Sequence, residues 1–394
     1  MLTPPSVHPM LMALLTERPL DQKWLATLPP HTWDTIIEDA IAQRVGPILF
    51  HWLNHSAPRL PIPGHTRQKL HRHITQLTAW NLLLKNELHR ILRTCHARHI
   101  QCIPIRGPIL AAHLYGDEAI RHMDDLDLLV HYEDLSTVNE IFHQLGYAPH
   151  EHRSGFLETY SYSLEFYHPQ HGVIVEPHWT LAYPPATTGT AMGPVWARTK
   201  RRRLLDLETA TLCHADLFLH LCLHLLHTGT HAPLLWYYEL DRLIRLGGDA
   251  LSWEVALAQA REMDQASLIA EVLTTVVHQF DSPVSASILR EFLEPSAGMA
   301  AAAPRPMSEQ LLTHASLHGR EEFAVLCSLR GLRPKVQYAA ALLFPSPSYM
   351  AQRYGLAGVR NLPRAYFLRA YRLFGESCRW AIAWIQAALS PRQG

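Results

Sequence analysis

The stretch Arg121-His-Met-Asp-Asp-Leu-Asp-Leu-Leu-Val130 constrains this chain more than any other. It sets carboxylates at Asp125 and Asp127, two residues apart, at the mouth of an apolar run. Successive side chains of a β-strand point to opposite faces, so residues i and i+2 share one face. Asp125 and Asp127 are therefore expected to project together, with Leu126, Leu128 and Val130 turned the other way into a core. By the same alternation Asp124 falls on that other face and drops out of the pair. Two acids held this close repel each other unless they share a cation, and oxygen-rich sites of this kind suit Mg²⁺ or Mn²⁺. Asp-x-Asp alone fits a strand entry with solvated acids equally well, so its surroundings decide.

A chain of 394 residues has room for two or three domains. With 48% hydrophobic and 18% charged residues it reads as globular rather than disordered. Basic and acidic residues balance at 35 each, which leaves no strong case for nucleic acid or for bulk attraction to an anionic membrane. The 27 histidines make the net charge respond to pH between about 5 and 7. Six scattered cysteines without a Cys-x-x-Cys pair fit reduced thiols better than a disulfide framework or a structural zinc site. No basic, apolar and small-residue leader stands at the start, and no apolar run reaches the ~18 residues of a membrane span. A cytoplasmic protein without a transmembrane segment is the expectation.

The hydrophobic period divides the chain in three. Residues 1–98 read as a helical region punctuated by prolines, with its clearest helix over 66–98 carrying Leu77, Leu84, Leu88, Ile91, Leu92 and Cys95 near helical spacing. Residues 99–185 read as an α+β core. Ile100 to Ile105 forms a strand, Arg106-Gly107-Pro108 turns into a helix over 109–115, the Asp-bearing strand follows, and 131–146 forms an amphipathic helix closed by Gly146. Two alternating runs over 158–168 and 172–179 flank Pro169-Gln-His-Gly172, a hairpin signal. Residues 186–394 read as a second helical region, with a small-residue connection over 295–306.

Glu176 and His178 share a face of the second hairpin strand, so a third acid arrives beside a histidine. Asp125, Asp127 and Glu176 then form a possible carboxylate triad on adjacent strands. Nucleotidyl transfer uses such a set to hold two metal ions roughly 3.5–4 Å apart around a triphosphate. Arg106-Gly107-Pro108 can receive phosphate on backbone N–H groups and a guanidinium, or can be an ordinary strand–turn–helix joint. Arg121 can pair with phosphate or neutralise Asp124 or Asp125. His220, His224 and His227 fall at i, i+4 and i+7 on one helix face. The spacing suits a metal such as zinc, but without a companion acid or cysteine a polar stripe facing the cleft is the stronger reading. Lys200-Arg-Arg-Arg203 is either a solvated face or an acceptor patch. Residues 364–389 interleave aromatics with arginines, which suits a packed or partner-binding helix better than a membrane-surface one.

Taken in order, Arg106-Gly-Pro, Leu114-Tyr-Gly-Asp117, Arg121-x-Met-x-Asp125-Leu-Asp127-Leu-Leu-Val130, Leu145-Gly-Tyr147 and Val175-Glu-Pro-His-Trp179 resemble the uncharacterised bacterial nucleotidyltransferase family of the DNA-polymerase-β-like superfamily. Later blocks continue the likeness, at Leu217 to His227, Leu235-Trp236 to Asp241, and Phe344-Pro-Ser-Pro-Ser-Tyr-Met350 to Tyr354-Gly355. The resemblance implies a small mixed-sheet nucleotidyltransferase core flanked by helices, with Asp125, Asp127 and Glu176 as metal-binding acids. Arg106, Gly107, Arg121 and His178 would then sit on the nucleotide side. The chain departs from the family in carrying Arg106-Gly107 where Lys-Gly is usual, and Pro108 where the wider superfamily prefers Gly or Ser. Arginine keeps the charge but is a rigid fork rather than a point charge.

The expected activity is transfer of a nucleoside monophosphate from an NTP, with Mg²⁺ or Mn²⁺, to a hydroxyl or phosphate of a small-molecule or peptide acceptor, in a biosynthetic setting. His220, His224 and Asp241 are expected near the acceptor. The alternative is a non-catalytic nucleotide-binding or scaffold protein that keeps the fold. A nucleic-acid modifier is a third reading, which zero net charge disfavours.

Overall fold

Prolines and one long apolar stripe shape the N-terminal third, as the structure, a computed structural model, shows. It describes residues 5–115, 121–149, 161–181, 192–229, 232–263, 265–294, 332–354, 361–373 and 375. Helices α1 (Pro9–Leu15), α2 (Gln22–Leu25), α3 (Pro30–Ala42), α4 (Gly46–His55) and α5 (Gly64–Ala97) come first. Proline occupies the first turn of α1, α3 and α4, where its missing N–H forfeits no helical bond. Helix α5 is close to the expected 66–98 and buries Leu77, Leu84, Leu88, Ile91, Leu92 and Cys95.

The mixed sheet follows, with strands β1 (Cys102–Pro104), β2 (Leu126–Val130), β3 (Ala148–Pro149), β4 (Phe166–Tyr167) and β5 (Ile174–His178) in the order β1-β2-β5-β4-β3. Between β1 and β2 the chain forms a short helix, α6 (Pro108–Leu110), and then a π-helical turn, Ala111–Tyr115. After β2 comes α7 (Leu135–Gln144). The parallel pairing of β2 with β5 needs a crossover, which α7, β3 and β4 supply. Its register sets Asp127 opposite Glu176. Residues 169–171 turn as expected between β4 and β5, which pair antiparallel.

Every residue of β2 is buried, because both faces of the sheet are covered. Leu126, Leu128 and Val130 pack with Leu84, Leu88 and Ile91 of α5 and with Ile141 and Phe142 of α7. Leu129 and Ile103 join a second, larger core that runs into the C-terminal helices. The face bearing Asp127 is therefore turned toward those helices and away from bulk water.

The C-terminal part is not purely helical. After α8 (Met192–Ala197) the basic run enters a hairpin, β6 (Lys200–Leu204) with β7 (Leu207–Thr211), which lies beside β1. Arg201 pairs with Glu208 and Arg203 with Asp206, all largely exposed, so the run is a solvated strand face. Then come α9 (His214–Thr228), α10 (Leu234–Gly247), α11 (Trp253–Glu262), α12 (Ala266–Phe280), α13 (Ala286–Leu293), α14 (Leu332–Leu343) and α15 (Pro347–Arg353). Residues 362–373 are helical, with Arg369 donating to the Leu342 carbonyl at 2.8 Å while Phe367 and Tyr371 stay exposed. The rest of the aromatic–arginine segment and the 295–306 connection lie outside the described residues. Among the described residues no helix is long and apolar enough to cross a membrane.

His113, on the π-helical turn, sets its Nε2 2.9 Å from the His214 Nε2, with Arg202 3.3 Å from its Nδ1. Burial first, then His214 and Arg202, push the His113 imidazole down to about 4 from an ordinary 6.5. Burial, then Arg202 and Lys200, lower His214 as well. Below pH 6.5 the unfolded chain takes up these protons before the folded one does. Their contribution to stability is thus present above pH 6.5 and lost as pH falls toward 4. His113→Gln should lose less melting temperature than the parent chain between pH 7 and pH 5; an equal loss would remove the pair from the account.

Candidate functional site

Asp127 Oδ1 is the centre of the polar face. It accepts from Arg106 Nη2 at 2.6 Å and from His178 Nε2 at 3.0 Å, and it is almost fully buried. His178 Nε2 also lies 3.7 Å from Glu176 Oε2, and Ser163 Oγ donates to that oxygen at 3.5 Å. Asp125 stands just before the strand begins, in the same cleft and close enough to feel the Asp127 charge. The structure thus brings Asp125, Asp127 and Glu176 into one cleft: the β2–β5 register pairs Asp127 with Glu176, while Asp125 joins them from the residue just ahead of the strand.

Arg106 reaches in from the β1–α6 turn. Its second guanidinium nitrogen meets His224 Nε2. Gly107 makes this turn possible: its φ of 57° and ψ of −123° lie in a region open only to glycine. A Cβ there would clash with nothing, the nearest atoms being 3.7 and 3.8 Å away, so the obstacle is the backbone alone. Gly107→Ala should destabilise the fold by roughly 1–3 kcal/mol, read as a lower urea midpoint. An unchanged midpoint would show that the turn tolerates another conformation.

Helix α9 forms the opposite wall. His220, His224 and His227 line the cleft together, as their spacing predicts. His227 Nε2 pairs with the Tyr162 hydroxyl at 3.2 Å. Among the described residues His220 has no hydrogen-bond partner on either ring nitrogen, although it is only 4% exposed. The cleft holds about 260 Å³.

Other sequence expectations place differently. Arg121 lines the same cleft, but its guanidinium forks onto Glu239 at 2.6 and 3.1 Å, and both side chains are buried. Asp241 lies outside the cleft, where Arg245 at 2.9 Å and Ser282 at 2.5 Å hold its carboxylate. Asp124, set aside by alternation, lines the cleft after all. The strand starts only at Leu126, so the alternation does not extend back to it. Arg44 at 2.5 Å and His122 at 2.9 Å hold Asp124 at the rim.

Sequence reasoning missed Arg44, Trp236 and Tyr162. Arg44 follows α3 with a φ of 62°, and its guanidinium sits 5.6 Å over the Trp236 ring. Trp236 packs on His224 with ring centres 4.0 Å apart. Contributions from α4's entry, the sheet, α9 and α10 thus converge on one cleft, which no local pattern announces.

Charge in the cleft is unevenly compensated. Burial alone would raise Asp127, but Arg106 and the His178 N–H outweigh it and hold the carboxyl well below the usual range. Asp125 is pushed up to about 7 by burial and then by the Asp127 charge. Glu176 is pushed up to about 8 by burial, then by Asp127 and Asp125. One guanidinium is therefore too little counter-charge for three carboxyls. Burial, with Arg106 next, lowers His220 and His224 well below the ordinary histidine value.

This donor set fits a divalent cation. Asp127, Glu176 and His178 each offer one ligand atom, all within 4.8 Å of one another. The crowded carboxyls lack the positive charge that an ion would bring.

A mixed sheet with acids on neighbouring parallel strands, flanked by helices, defines a small α+β transferase core. Residues 29–281 match the family of uncharacterised nucleotidyltransferases, and the chain belongs to that family. It is accordingly a nucleotidyltransferase, a transferase of phosphorus-containing groups. No curated protein matches the chain.

Proposed function

We propose that this cleft transfers a nucleoside monophosphate from an NTP to a hydroxyl or phosphate of a small-molecule or peptide acceptor, with Asp125, Asp127 and Glu176 as the metal-binding acids. The observation that carries the reading is the β2–β5 register, which sets Asp127 opposite Glu176 in a cleft shared with Asp125. In this reading residues 99–185 are the catalytic core, and the regions 1–98 and 186–394 form the walls of the cleft.

A bound divalent ion, Mg²⁺ or Mn²⁺, supplies charge neutralisation for the triphosphate and the leaving pyrophosphate. The chain's own groups do the rest. Arg106, fixed by the Gly107 turn with a guanidinium nitrogen 2.6 Å from Asp127 Oδ1, is a cation on this chain that would pair with the incoming phosphates. The acceptor oxygen attacks the α-phosphorus, the bond to the β-phosphate oxygen breaks, and pyrophosphate leaves. Glu176, partly exposed at the edge of the cleft, would take the acceptor proton once a bound cation has offset the Asp127 and Asp125 charges that now hold it protonated. His224 and His220 line the side on which the acceptor enters.

Calorimetric titration with each of the four NTPs, with Mg²⁺ and with Mn²⁺, followed by pyrophosphate release with cell extract as acceptor source, tests this. The expected result is release from at least one NTP that EDTA abolishes. Binding without release under every condition would favour the non-catalytic reading.

A further inference from the structure

We infer that Arg44, at the mouth of the cleft, anchors the two terminal phosphates of the NTP, and that Asp124 holds its guanidinium in place until those phosphates displace the carboxylate. The inference rests on the nucleotidyl-transfer reading for the identity of the anion. It deepens that reading by naming a residue outside the α+β core that selects a polyphosphate.

Among the described residues three arginines line the cleft, and they differ in what each loses by turning to an anion. Arg121 is forked onto Glu239 and Arg106 is bound to Asp127, with all four side chains at most 11% exposed. Arg44 is bound to Asp124 at 2.5 Å, and these two side chains are 34% and 44% exposed. Breaking a buried ion pair strands a desolvated charge, whereas an exposed pair adds little and water takes over the released partner. Asp124 can therefore give up its guanidinium at small cost. Arg44 is the cation most readily transferred to an incoming anion.

Its placement is fixed before any ligand arrives. Arg44 has a φ of 62°, in the left-handed region that side chains rarely adopt. Its N–H donates to the Ile41 carbonyl at 3.1 Å, and the Val45 N–H donates to the Ala40 carbonyl at 2.9 Å. Gln43 ties the same joint to α10, its side chain accepting from Leu234 N–H at 3.0 Å and its carbonyl from Leu235 N–H at 3.3 Å. Strain of this kind persists where the surroundings over-determine it, and it clusters at ligand clamps. The Trp236 ring, 5.6 Å from the guanidinium carbon, supports the fork that arginine offers to phosphate oxygens.

The sequence sets the subsite beside the acids. Asp124 immediately precedes Asp125, so the carboxylate that a phosphate would replace is next in the chain to a proposed metal-binding acid. Phosphates held there would leave the α-phosphorus for the acids further in. One guanidinium already falls short of balancing those three carboxyls, so a polyphosphate at the mouth needs a cation of its own.

The test is calorimetric titration of the full chain with pyrophosphate and Mg²⁺ at fixed ionic strength, together with KM and kcat for each NTP that turns over. Arg44→Gln should weaken pyrophosphate binding about tenfold or more and raise KM for NTP by a similar factor, with kcat held within about twofold. Asp124→Asn should act in the opposite direction and tighten pyrophosphate binding about two- to fivefold. A merely structural tie between the two residues would make both variants weaken it. In Arg44→Gln/Asp124→Asn the gain should vanish, because Asp124 acts through Arg44. Arg44→Lys, which keeps the charge without the fork, should recover part of the loss. Unchanged pyrophosphate affinity in Arg44→Gln, weaker binding in Asp124→Asn, or no binding to the unaltered chain overturns the inference and leaves nucleotidyl transfer standing. Arg44→Gln that spares pyrophosphate binding and KM but loses transfer to acceptors overturns it too, and moves Arg44 to the acceptor side. Arg44-dependent pyrophosphate binding without turnover of any NTP supports the inference and counts against the transfer reading instead. Asp124→Asn leaves Arg44 in place, so its sign decides the matter if Arg44→Gln fails to fold.

Discussion

Asp127→Asn is expected to remove metal-dependent NTP turnover, by roughly 10³-fold. Asparagine keeps the shape and leaves an oxygen for Arg106 Nη2 and His178 Nε2, which now lie 2.6 and 3.0 Å from Oδ1. What it removes is the one carboxylate that Arg106 and His178 hold ionised, the charge around which Asp125 and Glu176 are arranged. The variant should still unfold cooperatively on heating. Asp125→Asn should show the same pattern of lost turnover and retained fold. Undiminished turnover in a folded Asp127→Asn chain would place the chemistry elsewhere.

The largest effect on stability is expected at a residue that sequence reasoning put on the nucleotide side. Arg121→Met would leave the Glu239 carboxylate buried with, among the described residues, the Tyr115 hydroxyl at 3.4 Å as its remaining partner. Breaking a buried pair on one side costs about 3–5 kcal/mol, whereas replacing both partners by apolar groups is often close to neutral. Arg121→Met/Glu239→Leu should therefore recover most of the loss, and the double-mutant cycle measures the coupling. Arg121→Met examined below its melting point should keep its KM for NTP. A raised KM with unchanged stability would instead restore Arg121 to phosphate binding.

These two residues mark the boundary of what the sequence makes legible. The position of Asp127 follows from strand alternation, a local rule that needs only a handful of residues. The same rule puts Glu176 and His178 on one face of β5, and helical spacing puts His220, His224 and His227 on one face of α9. Arg121 finds its partner 118 residues away, and no period in the chain encodes that distance. Asp241 shows how far a local rule carries. Five residues beyond the cleft-lining Trp236 it lies about 140° further round the helix, so it turns out of the cleft. Asp124 fails for the opposite reason, since alternation was applied where no strand exists.

The β6–β7 hairpin escaped notice because its two-residue turn is Leu205-Asp206, both at positive φ. Such turns are announced in sequence by Asn-Gly or Asp-Gly, and leucine there gives no signal. Arg44 is hidden in the same way, at a positive φ between two helices. Its place over Trp236 depends on how α4's entry docks against α10, where Leu234 N–H donates to the Gln43 side chain at 3.0 Å. The helical walls of the cleft are tertiary facts. The acids they enclose are local ones.

The most direct measurement of the central claim follows the label from NTP carrying radioactive phosphorus at the α position, beside the same NTP labelled at the γ position. Nucleotidyl transfer in this cleft predicts that α-label passes to an acceptor from cell extract, that γ-label leaves as pyrophosphate, and that both events stop in Asp127→Asn. Label moving to the acceptor from the γ position alone, or from the α position undiminished in Asp127→Asn, would contradict it.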